Sequence, residues 1–285
     1  MIPLIYPSLL QVASKRRVKV GVGVGDLNNA SRVVSGVKQV LGKAEVVLVG
    51  RPELEGKIKG APFSPSEEPE RKLLELLVSG DVDGVVRGGL GSSTFLKHVK
   101  DAFNVAKVLR VALLEDATGH QFMFAPVGID EGEGVEEKVS LAMGAADFLK
   151  KINLVPRIAI ISGGRLSDLG RSPKVNGTIR DAGEVVARLK DGGYDAEHYQ
   201  ILIEDAVTDK RNVIVAPDGI SGNLIYRTLI HLGSGKSYGA LYLNLPKPVI
   251  DTSRAAPPNE YAGAVVMAAA AKNLQNRYGF AAVPE

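Results

Sequence analysis

The sequence predicts an α/β protein built on mainly parallel sheets. Short apolar runs rich in Val and Ile alternate with helical patterns along almost all of its 285 residues. The runs do not alternate apolar with polar residues, which is typical of strands covered by helices on both faces. A chain of this length can form one large α/β domain or two smaller ones.

The predicted strands are short apolar runs bounded by polar or glycine-containing turns. In chain order they are Arg17–Val24, Glu45–Val49, Gly84–Val86, Val108–Leu114, Arg157–Ile161, Gln200–Ile203, Asn212–Val215 and Tyr238–Leu243. Because helical patterns separate them, right-handed crossovers between parallel neighbours are expected.

The predicted helices repeat apolar residues three and four positions apart, or begin with proline and acidic residues. In the first, Val33, Val37 and Leu41 share a face, and Gly42 is the expected stop. The full set is Ser31–Leu41, Pro69–Val78, Ser92–Ala106, Gly134–Lys151, Thr178–Lys190, Gly222–Leu232 and Asn259–Gln275.

Composition excludes several classes of function. The net charge is +3 and the basic residues are scattered among acids, so we expect neither a nucleic acid nor a membrane surface as partner, whereas a small anionic ligand is possible. The sequence has no cysteine, which excludes disulfides and thiolate chemistry, and its four histidines show no metal-ligand spacing. No metal site is expected.

The first ten residues are apolar but contain two prolines, lack a basic leader and are too short to span a bilayer. We expect a packed N-terminal segment and a cytoplasmic protein.

Glycines at positions 21, 23 and 25 do not form a dinucleotide-binding fingerprint, because Asp26 stands where the third glycine would be needed. Small residues that let a strand and a helix approach closely are the favoured interpretation.

A basic, glycine-rich loop follows the predicted strand Gly84–Val86. It contains Arg87 and Gly88 and leads into a helix that begins near Ser92 and Ser93. A helix N-terminus offers free N–H groups and a guanidinium can hold an oxyanion, so these residues are candidates for substrate binding. The alternative is a capped helix with an exposed arginine.

A second strand-terminal loop carries Arg165, Asp168 and Arg171. The two arginines are candidates for binding an anion, because the loop occupies the same position at the end of a strand. The alternative is a solvated turn in which Asp168 pairs with an arginine.

Another buried run, Asn212–Val215, ends in a polar turn that contains Asp218, Gly222 and Asn223. Ligands of open α/β sheets bind at the carboxyl ends of parallel strands, so these residues are also predicted to bind substrate.

Ser253, Arg254 and Glu260 form the most chemically suggestive group. A hydroxyl can donate to a developing oxyanion, an arginine can hold phosphate, and a carboxylate at the start of the next helix can take a proton. The alternative is that the serine only caps the helix.

Several of these motifs, in order, resemble the phosphate acetyl/butyryl transferase superfamily from about residue 81 onward. Residues 83–99 resemble the butyryl-type pattern, in which a basic residue and glycine precede a helix start reading FLKxV. Residues 217–223 resemble the PDxxxGN motif and residues 247–254 the KPV…SR ending. Within the superfamily, residues 163–171 are similar to the MtxX proteins of methanogenic archaea.

This resemblance implies an isocitrate/isopropylmalate dehydrogenase-like (phosphotransacylase) fold, with two α/β/α domains and a cleft between them. The first domain would combine residues 1–115 and 245–285, and the second would span residues 116–244. A homodimer is also implied.

The superfamily chemistry is acyl exchange between coenzyme A and phosphate, with coenzyme A or an acyl phosphate as substrate and no intrinsic cofactor. The resemblance implies that Ser253 stabilises the oxyanion, Arg254 holds phosphate and Glu260 stands where a carboxylate base sits. The sequence departs from the acetyl-type pattern at Ala255, which replaces a glycine, and at Glu260, which replaces an aspartate. Arg87 and Gly88 stand in place of the acetyl-type Ser-Gly-x-x-His signature.

The MtxX resemblance implies a subunit of a methyltransferase complex, with corrinoid or pterin methyltransferase subunits as partners and an unknown methyl-transfer cofactor. The alternatives are an active phosphate acyltransferase and a non-catalytic regulatory or assembly subunit. No methyltransferase cofactor motif is visible in the sequence.

Overall fold

Parallel strands with helices between them make up the computed structural model, which describes residues 4–278. The strands are β1 Lys19–Gly23, β2 Glu45–Gly50, β3 Phe63–Pro65, β4 Gly84–Val86, β5 Arg110–Glu115, β6 Gln121–Ala125, β7 Ile158–Ile161, β8 Ala196–Gln200, β9 Val213–Val215, β10 Lys236–Tyr242 and β11 Val249–Asp251. The helices are α1 Ile5–Ala13, α2 Leu27–Lys38, α3 Pro69–Ser79, α4 Ser92–Phe103, α5 Gly134–Lys151, α6 Pro173–Asp191, α7 Ile203–Thr208, α8 Gly219–His231 and α9 Pro258–Tyr278.

The chain divides into two compact units. The terminal unit contains Tyr6–Val108 and the described residues from Ser237 onward, and the central unit contains Leu109–Lys236 with Leu4 and Ile5. Residues 1–3 and 279–285, which the sequence analysis assigned to the first domain, lie outside the described residues.

The terminal unit has a sheet in the order β3-β2-β1-β4-β11-β10, parallel except where β10 meets β11. Helices cover both faces of this sheet. Neighbouring residues of β4 point to opposite faces, and each meets a different helix. A Cβ at Gly84 would lie 3.4 Å from Ala268 of α9, whereas Val85 packs in a core cluster with Leu73 of α3. The alanine-rich α9 packs against β4, β11 and β1.

The central unit has the order β5-β6-β9-β7-β8, with β5 and β6 antiparallel and the other pairs parallel. Helix α5 packs on β9, β6 and β5, and α6 packs on β7 and β8. The predicted fold class, α/β with a mainly parallel sheet, is confirmed.

Some predicted elements were wrong. Gln200–Ile203 is not a strand: β8 ends at Gln200, which has a positive φ of 57°, and α7 begins at Ile203. The true strand was hidden because β8 is mostly half-exposed and contains Glu, His and Tyr. Helix α2 starts at Leu27 rather than Ser31, since Asp26 caps it through the N–H of Asn29.

None of the helices within the described residues combines the length and apolar composition needed to cross a bilayer.

Candidate ligand-binding site

The carboxyl ends of β1, β2, β4 and β11 lie along one edge of the terminal-unit sheet, because these strands are parallel. A pocket of about 150 Å³ lies there, and we call it the strand-end pocket. Its lining residues come from the loops that follow these strands and from the start of α3: Gly25, Asp26, Arg51, Pro69, Glu70, Gly89, Leu90, Gly91 and Arg254. Arg254, a predicted site residue, is therefore a pocket residue.

The end of β1 and the loop after β4 lie so close together behind this pocket that position 88 requires glycine. Its φ is +63°, and a Cβ there would lie 1.9 Å from the carbonyl oxygen of Gly23. The N–H of Gly89 donates to that same carbonyl at 3.0 Å. Close packing, rather than dinucleotide binding, thus explains the glycines within β1 and directly after it.

Arg87 is buried rather than exposed, with 5% of its surface accessible. Its guanidinium donates to the carbonyl of Leu90 at 2.6 Å, to the carboxylate of Asp251 and to the carbonyl of Thr252. These bonds join the loop after β4 to the end of β11. Arg87 therefore positions the segment that carries Ser253, and its predicted contact with substrate stays a prediction.

Ser253 and Glu260 are in direct contact. The backbone N–H of Ser253 donates to Glu260 Oε1 at 2.7 Å, and the Glu260 side chain lies in the first turn of α9 with 1% exposure. The phenol of Tyr261 donates to the carbonyls of Ser253 and Arg254 at 3.2 and 3.3 Å. Burial, and then the charge of Glu260, raise the pKa of Tyr261 to about 12, so the phenol keeps its proton at neutral pH.

The hydroxyl of Ser253 accepts the N–H of Ala255 at 3.3 Å. No described residue accepts the Ser253 O–H, which leaves that proton for a ligand oxygen. The Glu260 carboxylate faces the Ser253 backbone, which suits it to holding the loop.

Arg254 is exposed, and its guanidinium has no hydrogen-bond or ion-pair partner within residues 4–275. One guanidinium nitrogen lies 3.7 Å from the position of a Cβ on Gly91, next to the start of α4. Ser92 and Ser93 are exposed in the first turn of that helix and directly follow Gly91, which lines the strand-end pocket. Arg87, Gly88, Ser92, Ser93, Ser253, Arg254 and Glu260 thus belong to neighbouring segments of the terminal unit.

Sequence reasoning missed three charged residues of the pocket. Arg51 directly follows β2, as Arg87 directly follows β4. A basic residue at the end of a buried strand was the criterion that selected Arg87, and Arg51 meets it equally. Asp26 was considered only as an interruption of a glycine pattern. Glu70 gave no sequence signal, because an acid in the first turn of a helix is ordinary.

The predicted residues of the motif after β9 lie in the central unit and have structural contacts. The Asp218 carboxylate caps α8 by accepting the N–H of Ser221 at 2.7 Å. The Asn223 amide donates to the carbonyl of Val127 at 2.9 Å. A Cβ on Gly222 would lie 2.0 Å from the carbonyl oxygen of Pro126. These contacts hold α8 against the loop after β6, and substrate binding by the three residues stays a prediction.

In the loop after β7, one contact agrees with the alternative interpretation, a solvated turn in which Asp168 pairs with an arginine. Arg171 pairs with Asp168 at 2.9 Å, and its side chain is 75% exposed. The backbone N–H of Arg165, followed by the Arg171 guanidinium, lowers the pKa of Asp168. The Arg165 side chain is exposed. Anion binding by either arginine stays a prediction.

Within the described residues, no group of three or more histidine, aspartate or glutamate side chains is arranged to hold a metal ion.

Comparison with known proteins identifies the family. A relative from Methanosarcina mazei, named "Putative methyltransferase mtx subunit X", is 39% identical over 263 residues, which is 92% of this chain and 93% of the relative. The chain belongs to the mtx subunit X family. No protein-family model matches it.

More distant comparisons support the superfamily. The phosphate acetyltransferase of Bacillus subtilis is 28% identical over 215 residues, covering 66% of this chain and 65% of that enzyme. The solved branched-chain phosphotransacylase of Enterococcus faecalis V583 matches with a TM-score of 0.70 at 17% identity, over 90% of this chain and 99% of the other. The mtx subunit X family therefore has a phosphotransacylase-like fold, and both resemblances inferred from the motifs are confirmed.

Proposed function

We propose that this family member is a transferase subunit that binds a small phosphate- or acyl-bearing anion in the strand-end pocket. The observation that carries the proposal is the guanidinium of Arg254, which lines the pocket and has no protein partner within residues 4–275. Arg51 contributes a second guanidinium, which pairs with Glu67 at 3.9 Å. Coenzyme A, inorganic phosphate and acyl phosphates are the candidate ligands.

Acyl transfer is one chemistry that these groups support. The Ser253 O–H has no acceptor within the described residues and can donate to a carbonyl oxygen that becomes negative during attack by a thiolate. Arg254 would hold the phosphate that leaves or enters. In this reaction Glu260 holds the backbone of Ser253 in place. That Glu260 also acts as the base is part of the same proposal.

Methyl transfer is the second candidate, and the name of the Methanosarcina mazei relative favours it. In that case the pocket would serve regulation or assembly, with corrinoid or pterin methyltransferase subunits as partners. A cytoplasmic homodimer, and ligand binding by Arg165, Arg171, Asp218 and Asn223 of the central unit, belong to the proposal as well. Turnover of acetyl or butyryl phosphate with coenzyme A by the purified chain would favour the first chemistry.

Binding itself is tested with Arg254→Ala. We expect inorganic phosphate and coenzyme A to bind the parent protein, and the variant to lose at least about tenfold in affinity, since a charge-assisted hydrogen bond contributes about 1.5–3 kcal/mol. Isothermal titration calorimetry measures both. Arg17→Ala is the matched control, because Arg17 precedes β1 at the opposite end of the strand and pairs with Glu45. Equal affinity of the parent and Arg254→Ala would contradict the proposal.

A further inference from the structure

The strand-end pocket contains charges of both signs. Arg51 and Arg254 supply two positive charges, and Asp26 and Glu70 supply two negative charges, so the formal sum of the four is zero. A bare polyanion is stabilised by charged donors and repelled by carboxylates. The two carboxylates therefore need a separate explanation.

Each carboxylate is held by one oxygen and has one oxygen left over. Asp26 Oδ1 accepts the N–H of Asn29 at 2.9 Å, and Glu70 Oε1 accepts the N–H of Gly91 at 3.0 Å. The second oxygen of each has no hydrogen-bond donor within residues 4–275. Two acceptors in the pocket are thus fixed in place and open to a ligand.

Glu70 also changes what the start of α4 can bind. The first N–H groups of a helix attract anions, and here the Gly91 N–H at that helix start is already bonded to the protein's own carboxylate. An incoming phosphate must lie beside this negative charge to reach Arg254. A ligand that carries a positively charged donor next to its anion removes the repulsion and gains a charge-assisted bond.

We propose that Glu70 makes the strand-end pocket selective for small zwitterions, in which a protonated amine lies a few bonds from a phosphate. Arg254 and Arg51 hold the phosphate end, and the free oxygens of Glu70 and Asp26 accept the ammonium. This selectivity rests on the proposed function, because it requires Arg254 to receive an anion.

A pair of ligands of nearly equal size isolates the effect of the ammonium. O-Phosphoethanolamine and propyl phosphate differ in that an ammonium replaces a methyl group. By isothermal titration calorimetry at pH 7.5 we expect the parent protein to bind O-phosphoethanolamine at least about tenfold more tightly, the difference that about 1.4 kcal/mol produces. Equal affinities, or no detectable binding of O-phosphoethanolamine, would overturn the inference.

The variant Glu70→Gln tests the residue. Its amide oxygen can still accept the Gly91 N–H, so the local fold is kept while the charge is removed. We expect the affinity ratio of the two ligands to fall well below that of the parent protein but to stay above one, because Asp26 remains, and propyl phosphate to bind more tightly than before. Glu75→Gln is the matched control, because Glu75 lies on the same helix outside the pocket and pairs with Arg71. An unchanged ratio in Glu70→Gln would refute the role of Glu70.

Arg254→Ala separates the two proposals. If Arg254→Ala binds neither ligand and the parent protein binds both ligands equally well, the proposal of phosphate binding stands and only the selectivity is overturned. Unchanged binding of both ligands in Arg254→Ala would overturn the proposed function and the selectivity with it.

Discussion

Glu260 illustrates how a residue that the sequence suggests as a base can have a structural contact of its own. Sequence alone places an acid just inside a helix that follows Ser253 and Arg254, which suggests a base. The structure shows the carboxylate buried against the Ser253 N–H at 2.7 Å. Removing such an acceptor leaves a half-buried donor without a partner, and that penalty is measurable in the stability of the protein.

We therefore predict that Glu260→Ala lowers the free energy of unfolding by about 1–3 kcal/mol. Glu260→Gln, which keeps an acceptor oxygen, should lose less. Urea denaturation followed by circular dichroism measures both values. Glu204→Ala is the control, since Glu204 is an exposed acid in the first turn of α7 and its loss should change stability by no more than about 0.5 kcal/mol. If Glu260→Ala were as stable as Glu204→Ala, the carboxylate would not be holding the loop.

At the scale of elements, helices with strong local signals were predictable, whereas strands without a clear local signal were not. Helix α5 spans Gly134–Lys151 as its apolar repeat predicts, because two acids in its first turn and two lysines in its last mark both ends. Strand β6, Gln121–Ala125, escaped prediction because it follows the turn at residues 116–120, which is itself a strong loop signal. Besides its antiparallel pairing with β5, it bonds to β9, which is distant in the chain and which no local pattern shows.

The site follows the same rule. Loops after buried parallel strands were identified from the sequence, so Arg254 was found. Glu70 was not, because its contact with Gly91 joins residues 21 positions apart on two helices. Arg87 was found for its position, but its burial depends on Asp251 and the Thr252 carbonyl, which long-range folding supplies.

The packing of α8 onto the loop after β6 is expected to be intolerant of a single methyl group. In Gly222→Ala the new Cβ meets the Pro126 carbonyl oxygen at 2.0 Å, so backbone must move and stability should fall by about 1–3 kcal/mol. Gly183→Ala is the matched control within α6, because nothing lies within 4 Å of its Cβ, and it should gain about 0.5–1 kcal/mol from helix propensity. Urea midpoints of the two variants should move in opposite directions. A shift of both toward higher urea would show that α8 is not seated as described.

At the scale of the whole molecule, the response to acid should be centred on the central unit. His120 and His198 both lie in it, and burial lowers the pKa of each. His120 Nε2 lies 2.8 Å from the carbonyl of Arg211, and His198 Nε2 lies 2.9 Å from the Ser162 hydroxyl, which itself donates to Gly164. In both contacts Nε2 is the donor, because the carbonyl oxygen of Arg211 and the Ser162 hydroxyl oxygen accept.

The sign of the pH dependence follows from these pKa values. Unfolded histidine binds a proton near pH 6.5 and the folded side chains bind it only at lower pH, so stability is complete above about pH 6.5 and falls as the pH drops below it. Each histidine can lower the free energy of unfolding by at most about 1.4 kcal/mol per pH unit.

We predict that the double variant His120→Gln, His198→Asn flattens the decline in the free energy of unfolding between pH 7.5 and 5.5, measured by urea denaturation at each pH. His231→Gln, also in the central unit, is the control and should decline as the parent does; a parent protein with the same stability at both pH values would contradict the prediction.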